Sequence, residues 1–288
     1  MHAATLPPAV ALVVLGAAVT HAAWNAIAHG IKDQVLAFGL IGAGSAGAAI
    51  PLAVLGRFPL AACWPYLLAS VAIHVLYNLG LMRCYRFGEF GQVYPLARGI
   101  SPLTVTVLAA LFAAERPSPS QIAGVAVISA GLAVLVFAGR QRGFSRPANR
   151  PAVLAAVGTG LTIAAYTTVD GLGVRLSGSP VGYIGWLMML ESLCVPAWAL
   201  ARRRGDLRAA RRRILAAGLG AGALSVLAYG LVLWAQTRGA LAPIAALRET
   251  SVIFGAITGT VVFREPFGRA RIGATVLVAA GILLLDLG

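Results

Sequence analysis

Two arginines lie in the middle of long apolar segments, where each could bind an anion. Arg98 and Arg248 both stand well inside stretches that are long enough to cross a bilayer. A charge at membrane depth costs about 2.5–3.5 kcal/mol on insertion scales, so something must compensate for it. The planar guanidinium fork is suited to a carboxylate, which makes both side chains candidates for a substrate contact. The alternative is an internal ion pair, for which the mid-span acids are Glu249, Glu191 and Asp170.

The same two arginines occupy equivalent places in a sequence repeat. A serine follows each arginine at the same offset, Ser101 after Arg98 and Ser251 after Arg248, and each segment ends in a glutamate. The pattern predicts that the chain contains one unit twice, with an arginine at the same depth in both copies. Ser251 therefore joins the arginines as a candidate substrate contact.

Two further apolar segments carry polar and aromatic residues on one helix face. His21, Trp24 and Asn25 follow helical spacing in the first segment, and the third segment repeats the arrangement. Polar faces on apolar spans should turn away from lipid, where they either line a substrate path or bind neighbouring helices. The candidate lining residues are Trp24, Asn25, Tyr77, Asn78, Tyr94 and Tyr166. The candidates for carrying a coupling proton are Asp170, Glu191, His21 and His74.

Composition indicates an integral membrane protein. The 288 residues are 59% hydrophobic and only 11% charged, with a mean hydropathy of +0.85; a soluble domain would be roughly a quarter charged. The net charge of +14 is concentrated in short breaks between apolar runs, which indicates topology signalling rather than nucleic-acid binding. The three cysteines show no metal-ligand spacing. No metal and no organic cofactor is implied by the sequence.

The apolar runs number about ten, each near the length needed to cross the hydrocarbon core. Lipid cannot satisfy a free backbone, so these runs are predicted to be helices and the fold all-α. Glu115 and Glu265, at span ends, are expected to cap helices or form loop salt bridges. The predicted spans cover residues 9–29, 34–55, 64–85, 91–114, 118–139, 151–175, 179–201, 214–237, 241–263 and 268–287.

A basic segment at residues 140–150 divides the chain into two similar halves, residues 1–139 and 151–288. Thr20 and Trp24 in the first half match Thr162 and Tyr166 in the second. An odd number of spans in each half makes the second half enter the membrane inverted. Inverted five-helix repeats are typical of secondary transporters, whose site lies near the bilayer midplane.

These motifs resemble the EamA family of the drug/metabolite transporter superfamily. The resemblance rests on WN in the first span, YPLARGISPL in the fourth, and ALRETSVIFGAITG followed by REP in the ninth. It implies a ten-helix alternating-access transporter, usually an exporter of amino acids or related metabolites. The family is generally drawn with both termini in the cytoplasm, whereas the arginine-rich breaks follow odd-numbered spans and favour termini outside. Both orientations therefore stay open.

The sequence thus predicts a multi-pass transporter of the bacterial inner membrane that exports a small, amino-acid-like metabolite bearing a carboxylate. Its partners would be the substrate, the bilayer and a coupling proton, and it would be a monomer or a homodimer. The alternatives are an importer of an anionic metabolite and a non-transporting membrane scaffold. An enzyme is not expected, because the sequence lacks a GxSxG, HExxH or P-loop motif.

Overall fold

The chain is built from helices joined by short connections. The computed structural model describes residues 6–87, 90–138, 150–209, 212–261 and 269–286. Within these ranges there are eleven α-helices and no strand. They are α1 (Pro8–Gly30), α2 (Gln34–Leu55), α3 (Trp64–Phe87), α4 (Phe90–Phe112), α5 (Pro119–Ala138), α6 (Arg150–Leu176), α7 (Pro180–Ala209), α8 (Arg212–Gln236), α9 (Leu241–Arg248), α10 (Ser251–Val261) and α11 (Arg269–Asp286).

Six of these helices are long and apolar enough to cross a membrane by length and composition. They lie at Pro8–Gly30, Gln34–Leu55, Ala61–Cys84, Arg150–Leu176, Pro180–Trp198 and Arg212–Gln236. Three shorter apolar helices lie at Leu96–Phe112, Pro119–Val134 and Ile272–Leu285. The predicted all-helical membrane fold is therefore confirmed. The predicted spans match the helices within a few residues, except for the ninth span and the end of the seventh.

The ninth predicted span is not one helix. The chain leaves the α-helix after Arg248, turns through Glu249 and Thr250, and resumes as α10 at Ser251. At the turn, the amides of Glu249 and Thr250 bond three residues back, to Ala246 and Leu247. Pro243 lies in the first turn of α9, where its missing N–H removes no helical hydrogen bond.

The basic run at residues 202–213 is also not the loop that its charge suggested. α7 continues through this run to Ala209, and α8 begins at Arg212. Arginine, alanine and leucine are strong helix formers, so the helix extends beyond its apolar part. The predicted linker at 140–150 lies outside the described residues except for Arg150, the first residue of α6.

Capping side chains explain where two of the helices, α5 and α2, begin. At α5, the Ser118 hydroxyl accepts a bond from the Gln121 amide, and the Gln121 side chain accepts one from the Ser118 amide. Pro119 follows as the first helical residue, so this start combines a reciprocal capping box with the position that proline prefers. At α2, Asp33 accepts bonds from the next turn of backbone amides.

The helices group into two compact units. The first unit comprises residues 1–12, 76–168 and 238–288, and the second comprises residues 13–75 and 169–237. In the first, α5 packs on α11 and α4 packs on α5 and α9; in the second, α2 packs on α7 and α8. Each unit draws on both sequence halves. The division at residues 139 and 151, with its inverted repeats, stays a prediction.

Glycines allow α2 and α8 to approach backbone to backbone in the second unit. A Cβ on Gly44 would meet the Leu219 carbonyl, and a Cβ on Gly222 would meet the Ile41 carbonyl and the Ser45 amide. The Ser45 hydroxyl donates to the Gly222 carbonyl at 3.0 Å. Small residues at such positions are what membrane helices need for close packing.

We expect Gly222→Ala to destabilise the protein by about 1–3 kcal/mol, because the added methyl group forces two backbones apart. Gly220→Ala is the matched control on the same helix, since a Cβ there meets nothing within 4 Å. Thermal unfolding of both variants in the same detergent measures the difference. Equal melting temperatures would show that α2 and α8 are not in close contact at Gly222.

Candidate functional site

Arg98 lies on α4 and is held in an internal ion pair. Its Nη1 donates to Oε1 of Glu249 at 2.9 Å. Arg98 is 3% exposed and Glu249 is fully buried. Glu249 stands at the turn between α9 and α10, where the end of a helix brings its side chain to α4. The ion-pair alternative considered for the arginines therefore describes Arg98.

Arg248 is in a different situation, although it is the equivalent residue of the repeat. It ends α9 and is 2% exposed. Its Nη2 lies 3.8 Å from Oε1 of Glu249, which is too long for a hydrogen bond. Among the described residues, neither Nε nor Nη2 of Arg248 has a hydrogen-bond partner. These two nitrogens form one edge of the guanidinium, so a buried cation presents a whole edge of unused N–H groups.

Two buried serines stand three residues beyond the two arginines. Ser101 on α4 and Ser251 at the start of α10 are both fully buried. Neither hydroxyl has a hydrogen-bond partner within the described part of the chain. Oε2 of Glu249 also has no hydrogen-bond partner among the described residues. The repeat thus places a set of buried polar atoms with unused bonding capacity in the first unit.

Glu115 positions the helix that ends in Arg248. Ala240, the residue before α9, makes no side-chain cap, and both carboxylate oxygens of Glu115 instead accept from the Leu241 amide, at 3.0 and 2.9 Å. A carboxylate also suits the positive end of a helix. The capping expected of Glu115 is confirmed, whereas Glu265 lies outside the described residues.

We expect Glu115→Ala to lower stability by about 1–2 kcal/mol, the usual cost of losing a helix cap. Glu115→Gln keeps an acceptor oxygen at the same position and should recover part of this loss. Unfolding curves of the two variants test the assignment. If both variants are as stable as the wild type, the Leu241 amide is satisfied by water and Glu115 does not position α9.

The second unit holds a separate buried polar network centred on Asp170 of α6. Oδ1 accepts from the Tyr183 hydroxyl at 3.0 Å, and Oδ2 accepts from the Tyr229 hydroxyl at 2.6 Å. Ser70 of α3 is a third hydrogen-bond partner. Asp170, Tyr183 and Ser70 are fully buried. Hydroxyl groups, and not an arginine, therefore hold this carboxylate.

His74 and Glu191 extend the same network. The His74 ring nitrogen Nδ1 lies 3.1 Å from Oγ of Ser70, 3.0 Å from the Ser70 carbonyl and 3.2 Å from Oε2 of Glu191. One ring nitrogen carries at most one proton, so Nδ1 can donate to only one of these oxygens at a time. The ring of His74 also packs edge-on against Tyr229, with centroids 5.5 Å apart.

The first-span candidates bond mainly to one another. Trp24 donates from Nε1 to Nδ1 of His21 at 3.2 Å, and the Asn25 amide donates to the His21 carbonyl at 2.9 Å. Trp24 and Asn25 are buried, at 6% and 4% exposure. Their predicted part in substrate binding, and that of His21 in proton coupling, stay predictions.

The remaining lining candidates lie in the first unit. The rings of Tyr77 and Tyr166 meet edge to face with centroids 5.4 Å apart. Asn78, beside Tyr77 on α3, is half-buried. Tyr94 lies on α4, but its side chain is outside the described part of the structure. The structure therefore brings Tyr77 and Tyr166 together, and their part in lining a substrate path stays a prediction.

Sequence reasoning missed Ser70 and Tyr183. Ser70 precedes His74 by one helical turn, a spacing that places both on one face of α3. Tyr183 lies near the start of α7, where an aromatic residue is ordinarily an interfacial anchor. Neither residue differs in type from ordinary span residues, so only their contacts with Asp170 and His74 reveal them.

The fold and the site together define a class of protein. A multi-pass helical chain with an under-coordinated buried cation at a helix break has the features of a membrane transporter. Residues 150–286 match the family described as the EamA-like transporter family. The chain belongs to this family of the drug/metabolite transporter superfamily, a family of transporters and not of enzymes.

Comparison with solved structures agrees on the fold. One crystal structure matches with a TM-score of 0.77 at 17% sequence identity, and the match covers 97% of each chain. At this identity the likeness establishes the fold alone. No curated protein sequence matches the chain.

Proposed function

We propose that this transporter moves a small, amino-acid-like metabolite and binds its carboxylate at Arg248. The observation that carries the proposal is the buried guanidinium edge of Arg248, whose Nε and Nη2 lack partners among the described residues. A carboxylate matches this edge with two parallel hydrogen bonds. The proposed substrate therefore supplies the bonds that the protein leaves unmade.

The energetic argument distinguishes Arg248 from Arg98. A buried donor without a partner costs about 1–3 kcal/mol, and more when it is charged. Arg98 avoids this cost through Glu249, but Arg248 is 3.8 Å from the same oxygen and does not. With two arginines and one glutamate, the cluster carries one positive charge more than negative when all three are ionised. An anionic group on the ligand would neutralise it.

Other residues of the first unit complete the proposed site. The Ser101 and Ser251 hydroxyls would bond polar groups of the substrate, and the paired rings of Tyr77 and Tyr166 would bind its apolar part. The carboxylate of the substrate would be held by the guanidinium and the hydroxyls. Its amino group would bond Oε2 of Glu249, which has no hydrogen-bond partner among the described residues. This pairing of charges fits a zwitterion.

The layout we propose is ten membrane segments in two inverted five-helix repeats. The broken ninth segment, α9 with α10, supports it, because discontinuous helices form the substrate sites of many transporters. We further propose alternating access, export from the cell, and residence in the bacterial inner membrane. An importer uses the same site with the opposite direction of net flux.

A ligand screen tests the proposal. Purified full-length protein in detergent is melted with amino acids and with their carboxamides, which differ only in the anionic group. Ligand at about 100 times its dissociation constant stabilises the folded state by about 2.7 kcal/mol. We expect stabilisation by the acids and not by the amides. Equal stabilisation by both would show that the carboxylate is not what the site binds, and a non-transporting scaffold would be stabilised by neither.

A further inference from the structure

The second unit contains a chain of buried groups that the proposed carboxylate site does not use. We infer that Asp170, Ser70, His74 and Glu191 form a proton relay that takes up one proton and couples its movement to transport. This inference rests on the proposed transport function, but the relay lies on residues distinct from Arg248 and its neighbours.

Geometry supports a continuous path for the proton. Glu191 Oε2 is 3.2 Å from His74 Nδ1, and Nδ1 is 3.1 Å from Ser70 Oγ. Ser70 in turn is a hydrogen-bond partner of Asp170. The groups come from three helices, α3, α6 and α7, and both contacts of His74 Nδ1, with Glu191 and with Ser70, are within hydrogen-bond distance. Among the described residues, Oε2 of Glu191 has no hydrogen-bond partner although it lies 3.2 Å from His74 Nδ1, so its lone pairs are available to a proton.

The charge of the network favours uptake of a proton. Two ionised carboxylates and a protonated imidazole still sum to one negative charge, and an uncompensated charge in an apolar interior is costly. Among the described residues, the hydroxyls of Tyr183 and Tyr229 and the thiol of Cys63 also lie against the network, and Tyr66 lies beside Tyr183. α2, which packs on α7 and α8, carries no titratable side chain. Arg175 of α6 instead donates to the Gln236 carbonyl at 2.9 Å.

The transfer can be written so that each bond broken is matched by one formed. The O–H bond of protonated Glu191 breaks as an N–H bond forms at Nδ1 of His74, giving an imidazolium. That N–H bond then breaks as Ser70 Oγ gains the proton, and Ser70 releases its own hydroxyl proton to Asp170. The net result is one proton moved from Glu191 to Asp170, with His74 and Ser70 unchanged.

A proton fits this network better than a metal cation. Asp170 accepts from tyrosine O–H groups on both oxygens, so its lone pairs already face donors. A cation requires several converging lone pairs instead. Within the described residues, no group of three His, Cys, Asp or Glu side chains is arranged to hold a metal ion.

Infrared difference spectroscopy tests the relay on the full chain in lipid, without any substrate. We expect a carboxyl C=O band whose intensity changes as the pH is varied. Asp170→Asn and Glu191→Gln should each remove part of it, while Glu115→Gln, outside the network, should leave it intact. Ser70→Ala separates Asp170 from His74 and should move the midpoint of the titration by about one pH unit, since coupled sites titrate as a unit.

Several results would overturn the relay. A band that survives both carboxylate variants would mean that neither carboxylate exchanges a proton. A band that follows sodium concentration at fixed pH would assign the site to a cation. Vesicles loaded with a pH-sensitive dye then test coupling, using the amino acid that stabilises most in the ligand screen. Transport with no proton movement would refute coupling, while leaving the carboxylate site at Arg248 untouched.

Discussion

Arg248→Met will abolish stabilisation by carboxylate ligands while leaving the melting temperature of the unliganded protein close to that of the wild type. The side chain makes no short ion pair, and its Nε and Nη2 have no partner among the described residues. Methionine has a similar length and removes a buried charge, so folding loses little. Charged hydrogen bonds contribute about 1.5–3 kcal/mol each, which corresponds to at least a tenfold weaker affinity.

The measurement is the ligand-induced shift in melting temperature, followed by uptake into vesicles. Arg248→Lys is the conservative control: it keeps the charge but loses the planar edge, and we expect it to bind weakly. A methionine variant that melts much lower than the wild type and still responds to the acids would contradict the assignment. Arg248 would then be a structural residue, and the ligand contact would have to be sought elsewhere.

Arg98→Met will have the opposite effect and destabilise the protein by about 3–5 kcal/mol, the usual cost of removing one partner of a buried ion pair. Glu249 is fully buried, and its Oε1 accepts a hydrogen bond from Arg98 at 2.9 Å. Without it, a carboxylate is left unpaired beside the helix break. Arg248, at 3.8 Å, is too distant to replace Arg98 without moving.

A second substitution separates charge from packing. Combining Arg98→Met with Glu249→Gln removes the orphaned charge and should recover most of the lost stability, whereas adding Glu115→Gln should recover none. Unfolding of the single and double variants forms a mutant cycle that isolates the pair. An additive cycle, with no recovery from Glu249→Gln, would show that the two side chains do not interact.

The sequence was sufficient to predict the helices, but not their internal breaks. The length of each apolar run predicted where most helices start and end, because every span in lipid must satisfy its own backbone hydrogen bonds as a helix. The break after Arg248 went unpredicted, because the apolar run continues on both sides of Arg248 and Glu249 and no glycine or proline marks the turn. Only the structure shows Glu249 at the turn, in contact with Arg98 of α4. The basic run at residues 202–213 was wrongly predicted as a loop, because its charge indicated a loop while its residue types favour a helix, and α7 continues through it to Ala209.

The candidate site, too, was predictable only in part. The repeat identified Arg98, Arg248 and Ser251 as special, and all three are buried. The repeat treats the two arginines as equivalent, so it could not show that they have different partners. Glu249, which pairs with Arg98, has no counterpart in the first copy. The polar network around Asp170 was recognised one residue at a time, since Ser70 and Asp170 are distant in the chain and only the fold brings them together.

The grouping of helices also has a consequence for biosynthesis. α2 packs on α7 and α8, and α5 packs on α11, so helices made early wait for partners made late. When the ribosome has completed only the first half, the glycine-lined face of α2 has no α8 to cover it. The nascent chain must therefore be held in the bilayer with its small-residue faces uncovered. Neither compact unit can close before the second half is inserted.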